Sequence, residues 1–199
     1  MTCQILDDSV TGERKQEILQ AAIEIVADEG YGSLSMRGLA RASGMKLGAL
    51  QYHFRTWDDL LRALVDYIAE EIRQAFESRK LHEGSPSVAE IAAFMLDDSA
   101  GTGEGLLGDR LWPQLWAMEQ VEPVVSDLLE EVYAEYLEIL ERAMEAAGIA
   151  SPRAEALCLM SVLEGESLFT GKGRRWEGDR EAVRETILKL INERYGDKK

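Results

Sequence analysis

The chain has 199 residues, 46% apolar and 30% charged, with 22 basic and 37 acidic side chains and a net charge of −15. That content builds a sizeable core, in one large domain or a small one joined to a larger one, and its acidity excludes a protein that coats nucleic acid non-specifically. Cys3 and Cys158 are the only cysteines, one in the expected tail and one in an apolar helix, so no disulfide framework is expected and a reducing compartment fits. No apolar run approaches the ~20 residues needed to span a bilayer, and residues 1–10 lack the basic start and apolar centre of a signal peptide. A cytoplasmic protein with no membrane partner is expected.

Residues 1–10 read as a disordered tail. A first helix is predicted from Thr11 to Glu29, with Ile18, Leu19, Ala22, Ile25 and Val26 on one stripe and Gly30 at its end. Ser35 caps a second helix running to about Ser43, and Gly44 supplies a permissive turn. A third helix covers about Leu47 to Phe54. Thr56 caps a long fourth helix, with Asp58 and Asp59 in its first turn, where the helix dipole favours acids.

The pattern breaks over 82–87, and Ser85-Pro86 reads as a cap followed by proline at the first position of a fifth helix. Residues 97–108 read as a loop, and Pro113 kinks or restarts the sixth helix beyond it. Glu122-Pro123 opens a seventh helix ending at Gly148. Ser151-Pro152 opens an eighth, ended by Gly171 or Gly173, and Asp179 caps a ninth to about Tyr195. No segment alternates long enough for a strand, so the fold class is all-α, with about nine helices.

Charge is distributed unevenly along this chain. Residues 1–80 hold ten basic and thirteen acidic side chains, a net −3, and the remainder carries −12. Residues 31–57 contain no Asp or Glu but hold Arg37, Arg41, Lys46 and Arg55. A local inversion of that kind marks a surface that meets a polyanion. The same stretch has two short helices separated by a glycine turn, the layout of a helix-turn-helix.

Arg37-Gly-Leu-Ala-Arg-Ala-Ser-Gly-Met45, followed by Gly48-Ala-Leu-Gln-Tyr-His-Phe-Arg55 and Asp59-Leu60-Leu61, resembles the DNA-binding domain of the TetR family of repressors over residues 11 to about 70. The resemblance implies a DNA-binding helix-turn-helix domain at 11–57 and a ligand-binding and dimerisation domain at 58–199. It also implies homodimerisation and a small-molecule effector.

Leu39, Ala40, Leu50 and Phe54 are spaced to pack the two short helices inward. Lys46, Leu47, Gly48, Gln51 and Tyr52 then fall on the outward, N-terminal side of the recognition helix, the part that enters the major groove. Gly48 admits a close backbone approach, Gln51 suits an adenine edge, and Lys46 suits guanine or phosphate. Arg37 lies where family members reach DNA, and Tyr52 and His53 are expected at phosphates, which position without reading sequence. Two residues depart from the family pattern. Gln51 stands where an aromatic residue is usual, and Trp57 replaces a Lys that would contact phosphate, so either affinity leans more on Arg37 and Lys46 or Trp57 packs against a sugar.

In the second half, Phe94, Trp112, Trp116, Tyr133, Tyr136 and Phe169 are candidate lining of a ligand cavity, with Glu164 as a polar contact. Glu164 and Glu166 interrupt an apolar run, and a buried acid needs a partner. Glu164 and Glu166 are expected to find an ion pair or hydrogen bond across a subunit interface, with Arg174, Arg175 or Arg184, or else to recognise a cationic or hydroxylated ligand. Gly103-Glu-Gly-Leu-Leu-Gly108 matches a nucleotide-binding string but follows no strand, so it reads as a loop. His53 and His82 have no ligand partners at metal spacing, and no nucleophile context is visible. No cofactor and no enzymatic activity are expected.

The apolar stripes Leu157, Ser161 and Leu168, and Val183, Ile187, Leu190 and Ile191, are expected to form a homodimer's four-helix bundle. The function read from the sequence is a repressor released from a near-palindromic operator on double-stranded DNA by a small, largely apolar molecule. The alternative is an architectural or division-control DNA-binding protein on the same fold, with no effector.

Overall fold

The computed structural model describes residues 2–79, 86–97, 108 and 110–196, with backbone alone for 2–11. Among these residues there are nine α-helices and no strand. They are α1 (Thr2–Glu29), α2 (Met36–Ala42), α3 (Leu47–His53), α4 (Trp57–Ser78), α5 (Val88–Met95), α6 (Trp112–Glu119), α7 (Pro123–Ala146), α8 (Pro152–Thr170) and α9 (Arg180–Tyr195). The backbone is helical from Thr2, so residues 2–10 of the expected tail are part of α1. No helix among the described residues is long and apolar enough to cross a membrane. His82 and the glycine string from Gly103, apart from Gly108, lie outside the described residues.

Contacts divide the chain into two compact units. The first comprises Met1–Glu70 with Arg110–Leu128, and the second Glu71–Asp109 with Leu129–Lys199. This division falls within α4, whereas the expected boundary stood at 57/58, and it groups α6 with α1, α2 and α3.

In the first unit, Ile18, Leu39, Leu50 and Leu64 are each at most 1% exposed and form the core. Removing a side chain such as Leu50 would cost about 2–5 kcal/mol, because the surrounding helices cannot fully collapse into the space. Helix starts are fixed by side-chain caps. Ser35 Oγ accepts from the Gly38 N–H at 3.1 Å. Thr56 and Asp59 cap each other's backbone N–H reciprocally, at 3.0 and 3.1 Å.

In the second unit, α5 begins two residues later than the Ser85-Pro86 reading. Ser87 and Glu90 form a capping box, whereas residue 88, three beyond Ser85, is a valine that cannot reach back to the backbone. Proline opens α7 and α8 as the sequence predicted. Asp179 stands at the N-cap of α9, but its side chain makes no capping bond.

Glu166 on α8 is tied to the start of α9. Its carboxylate, 2% exposed, accepts from Arg180 Nε at 3.0 Å and Thr170 Oγ1 at 2.6 Å, and pairs with Arg184 at 3.3 Å. The acid of the apolar run therefore finds partners inside its own chain. Of the expected partners, Arg184 holds it, and Arg180 takes the place given to Arg174 or Arg175.

Candidate DNA-recognition surface and effector residues

The turn before α3 is made by the backbone. Gly44, at φ +65°, stands just past the end of α2. Its N–H bonds to the Arg41 carbonyl at 3.1 Å, and the Met45 N–H bonds to the Ala40 carbonyl at 2.8 Å. This pair is a Schellman closure, which satisfies two carbonyls of the helix end and sets the angle at which α3 leaves. Arg14 on α1 fastens the same turn, donating to the Ser43 carbonyl at 2.8 Å. The sequence reading missed Arg14, which acts across 29 residues.

With Leu50 and Phe54 turned into the core, the rest of α3 faces outward. Lys46, Gly48, Gln51 and Tyr52 are exposed and Leu47 is partly so; Tyr52 is 81% exposed. Arg37, Arg41 and Arg55 are exposed on the flanking segments. The neighbouring acids are engaged at the start of α4, where Asp59 caps the helix and Asp58 holds Arg62 at 2.9 Å. A Cβ built on Gly48 would meet no heavy atom within 4 Å, so the space beside it is open.

Two expected contacts are placed differently. His53 is half-buried, and its Nδ1 is enclosed without a hydrogen-bond partner. Burial, together with the charges of Lys15 and Arg14, holds its imidazole below the ordinary histidine value. Trp57 turns towards Tyr31. Its ring lies 6.3 Å from the Tyr31 ring at 43°. The sugar contact expected of Trp57 is therefore replaced by a contact inside the first unit.

The candidate effector residues also separate. Trp112 and Trp116 lie on α6 in the first unit, whereas Phe94, Tyr133, Tyr136, Glu164 and Phe169 lie in the second. Phe76, Phe94 and Tyr136 form a buried cluster, with Phe76 5.3 Å from Phe94 and 4.7 Å from Tyr136. The sequence reading missed Phe76, whose place is set by the α4 stripe alone. Phe169 is 61% exposed and lies 6.4 Å from Trp176 rather than in that cluster, because its position on α8 points out of the core.

Glu164 is partly buried beside Tyr133 and Tyr136. Burial raises its carboxyl to about 7, against the lowering effect of a hydrogen bond from Tyr133. Among the described residues no Lys, Arg or His pairs with it. Two residues on, burial also pushes Glu166 upward, but Thr170, Arg180 and Arg184 outweigh that effect and hold it below the ordinary carboxylate value.

On the outer side of α8 and α9, Leu157, Val162, Leu168, Phe169 and Leu190 are 45–61% exposed. A groove of about 250 Å³ lies between Cys158 and Val162 of α8 and Leu190 and Arg194 of α9. Ile187 and Ile191, expected at an interface, are buried in the chain's own core, at 9% and 3% exposed.

Residues 18–64 match the family model for bacterial regulatory proteins of the tetR family. Among relatives, the HTH-type transcriptional regulator BetI of Ectopseudomonas mendocina is 26% identical over 178 residues, covering 81% of this chain and 88% of that protein. Among solved structures, a TetR transcription regulator from Haloarcula marismortui aligns with a TM-score of 0.69 at 18% identity, covering 92% of this chain and 97% of the other. A transcriptional regulator from Saccharomonospora viridis in complex with choline aligns with a TM-score of 0.74 at 18% identity, covering 91% and 96%. At those identities the two structures carry the fold. The matched segment coincides with the capped turn and outward face of α3, so residues 18–64 are similar to the bacterial regulatory proteins of the tetR family, and the BetI relative that aligns over most of the chain is a transcriptional regulator.

Proposed function

We propose that the protein is a homodimeric repressor that binds a near-palindromic operator and leaves it when the second unit takes up a small, largely apolar molecule carrying a positive charge. The observation that carries the effector class is Glu164. Its carboxyl is drawn out of water beside Tyr133 and Tyr136 and has no basic partner among the described residues. An acid in that position is stabilised by an arriving cation, and aromatic faces attract cations as well. Glu166 is already engaged by Arg180 and Arg184, which leaves Glu164 as the acid open to a ligand. The choline bound by the regulator of similar fold supports a small cation.

Lys46, Gly48, Gln51 and Tyr52 provide the DNA-facing surface, with Arg37 beside them. The outward apolar residues of α8, together with Leu190, support pairing of two copies. Moving a protein from 99% to 1% binding-competent requires ~5.5 kcal/mol of differential affinity between the two states. The effector must therefore favour one state strongly, and exclusion of its charge from the other state supplies such a difference.

The test is release of labelled DNA, followed by fluorescence anisotropy, on adding choline or its uncharged carbon isostere. Release by choline alone, abolished in Glu164→Gln, is the expected result. Equal action of both compounds would remove the cationic class. Failure of any small organic cation to bind would favour the effector-free reading, which the close packing of Phe76, Phe94 and Tyr136 otherwise supports.

A further inference from the structure

Tyr31 stands where four segments of the first unit meet. Gly30, at φ +86°, turns the chain out of α1 so that the Tyr31 N–H donates to Gln114 Oε1 on α6 at 3.2 Å. A Cβ on Gly30 would lie 3.4 Å from that same oxygen, so the approach is close. The Tyr31 hydroxyl donates to Glu122, the residue that precedes α7, and the Tyr31 ring packs 6.3 Å from that of Trp57 at the start of α4. Close by, Asp28 pairs with Arg110 at 2.6 Å. Burial and the Glu122 carboxylate push the Tyr31 phenol above its ordinary value, so it remains a donor across the physiological range.

These contacts are not what folds the helix-turn-helix. Its core is apolar and is supplied by Ile18, Leu39, Leu50 and Phe54. Tyr31 instead fixes that folded head against α6 and the corner between α6 and α7. An orientation that is already fixed spares the entropy of fixing it on binding. This saving matters most when two heads must engage two half-sites together, because the second contact then depends on the geometry set by the first.

We propose that Tyr31 is a positioning residue for operator binding. Through Glu122, Gln114 and Trp57 it sets the angle at which the helix-turn-helix is presented, and so sets affinity for a full palindrome rather than for a single half-site. This rests on the dimeric reading above.

The test uses the full-length protein and a palindromic duplex selected from a randomised pool, alongside the same duplex with one half scrambled. Tyr31→Phe removes the hydroxyl and keeps the ring, and Glu122→Gln removes the charge and keeps the shape. Each is expected to weaken full-site binding by about tenfold, the worth of one hydrogen bond to a charged group. Half-site binding should stay within about twofold, which also shows that the head is folded. The double variant should bind about as tightly as Tyr31→Phe alone, because both changes break one bond. Full-site affinity unchanged in both single variants overturns the proposal, as does a parallel loss on the half-site duplex. An unaltered protein that does not prefer the full palindrome overturns the dimeric reading and the positioning role with it.

Discussion

On the recognition surface, Arg37, Arg41, Lys46 and Arg55 hold their charges in water, whereas on α8 two carboxylates two residues apart are drawn away from it. The exposed charges cost little to maintain and act on whatever polyanion arrives. The withdrawn ones are decided by what surrounds them. Glu166 meets Thr170, Arg180 and Arg184 and becomes part of the fold; Glu164 meets a tyrosine hydroxyl and keeps an unmet preference for positive charge. Neighbours on one helix therefore differ in role because of residues that come from elsewhere in the chain.

The strongest way to break this contrast is Glu166→Ala. Two guanidinium groups would lose their buried partner, and unfolding in urea should show a loss of about 3–5 kcal/mol. A loss within experimental error would mean that the pair does not hold α8 to α9. On the recognition surface, Lys46→Ala should weaken operator binding by about 1–3 kcal/mol and leave the urea midpoint unchanged. A parallel fall in stability would make Lys46 structural.

The smallest effect sharpens the contrast between the two acids. Because the folded-state value of Glu164 is raised, its contribution makes the protein less stable as pH rises from the ordinary carboxylate range to about 7, with no further change above. Glu164→Gln should remove that slope, on the order of 1 kcal/mol after screening by the water that reaches the partly buried group. Glu166, held below the ordinary value, contributes stability present above that value and lost as pH falls through its lowered one. Urea denaturation at a series of pH values separates the two windows, and a variant with the parent's slope near neutrality would assign that slope to another group.

The helix-turn-helix was legible because its signals are local. Ser35, Gly44 and Thr56 each act on backbone within a few residues, and the sequence places them without help. The start of α5 was misplaced by two residues because Ser85 and Ser87 look alike until Glu90 is seen to complete the box with the second. Contacts across longer stretches were not legible. Trp57 sits among exposed residues in sequence, but its neighbour Tyr31 comes from the turn after α1, and Glu122, which completes the contact, lies 91 residues from Tyr31. Aromatic composition grouped Phe94 and Tyr136, whose rings lie 6.5 Å apart, with Trp112 and Trp116, which belong to the other unit.

Gly48 is a glycine that the protein itself does not require. It sits inside α3 without a left-handed backbone and with open space where a side chain would stand. Alanine there would favour the helix by up to about 1 kcal/mol, which fits the close backbone approach to DNA proposed for this position. On the proposed dimer, a bulky residue at Gly48 would be a silent lesion: the subunit would fold and pair with a normal copy, yet contribute a head that stands off from the groove. Mixed dimers of that kind would outnumber intact ones at equal expression, and the altered copy would act as a dominant inhibitor of the normal one.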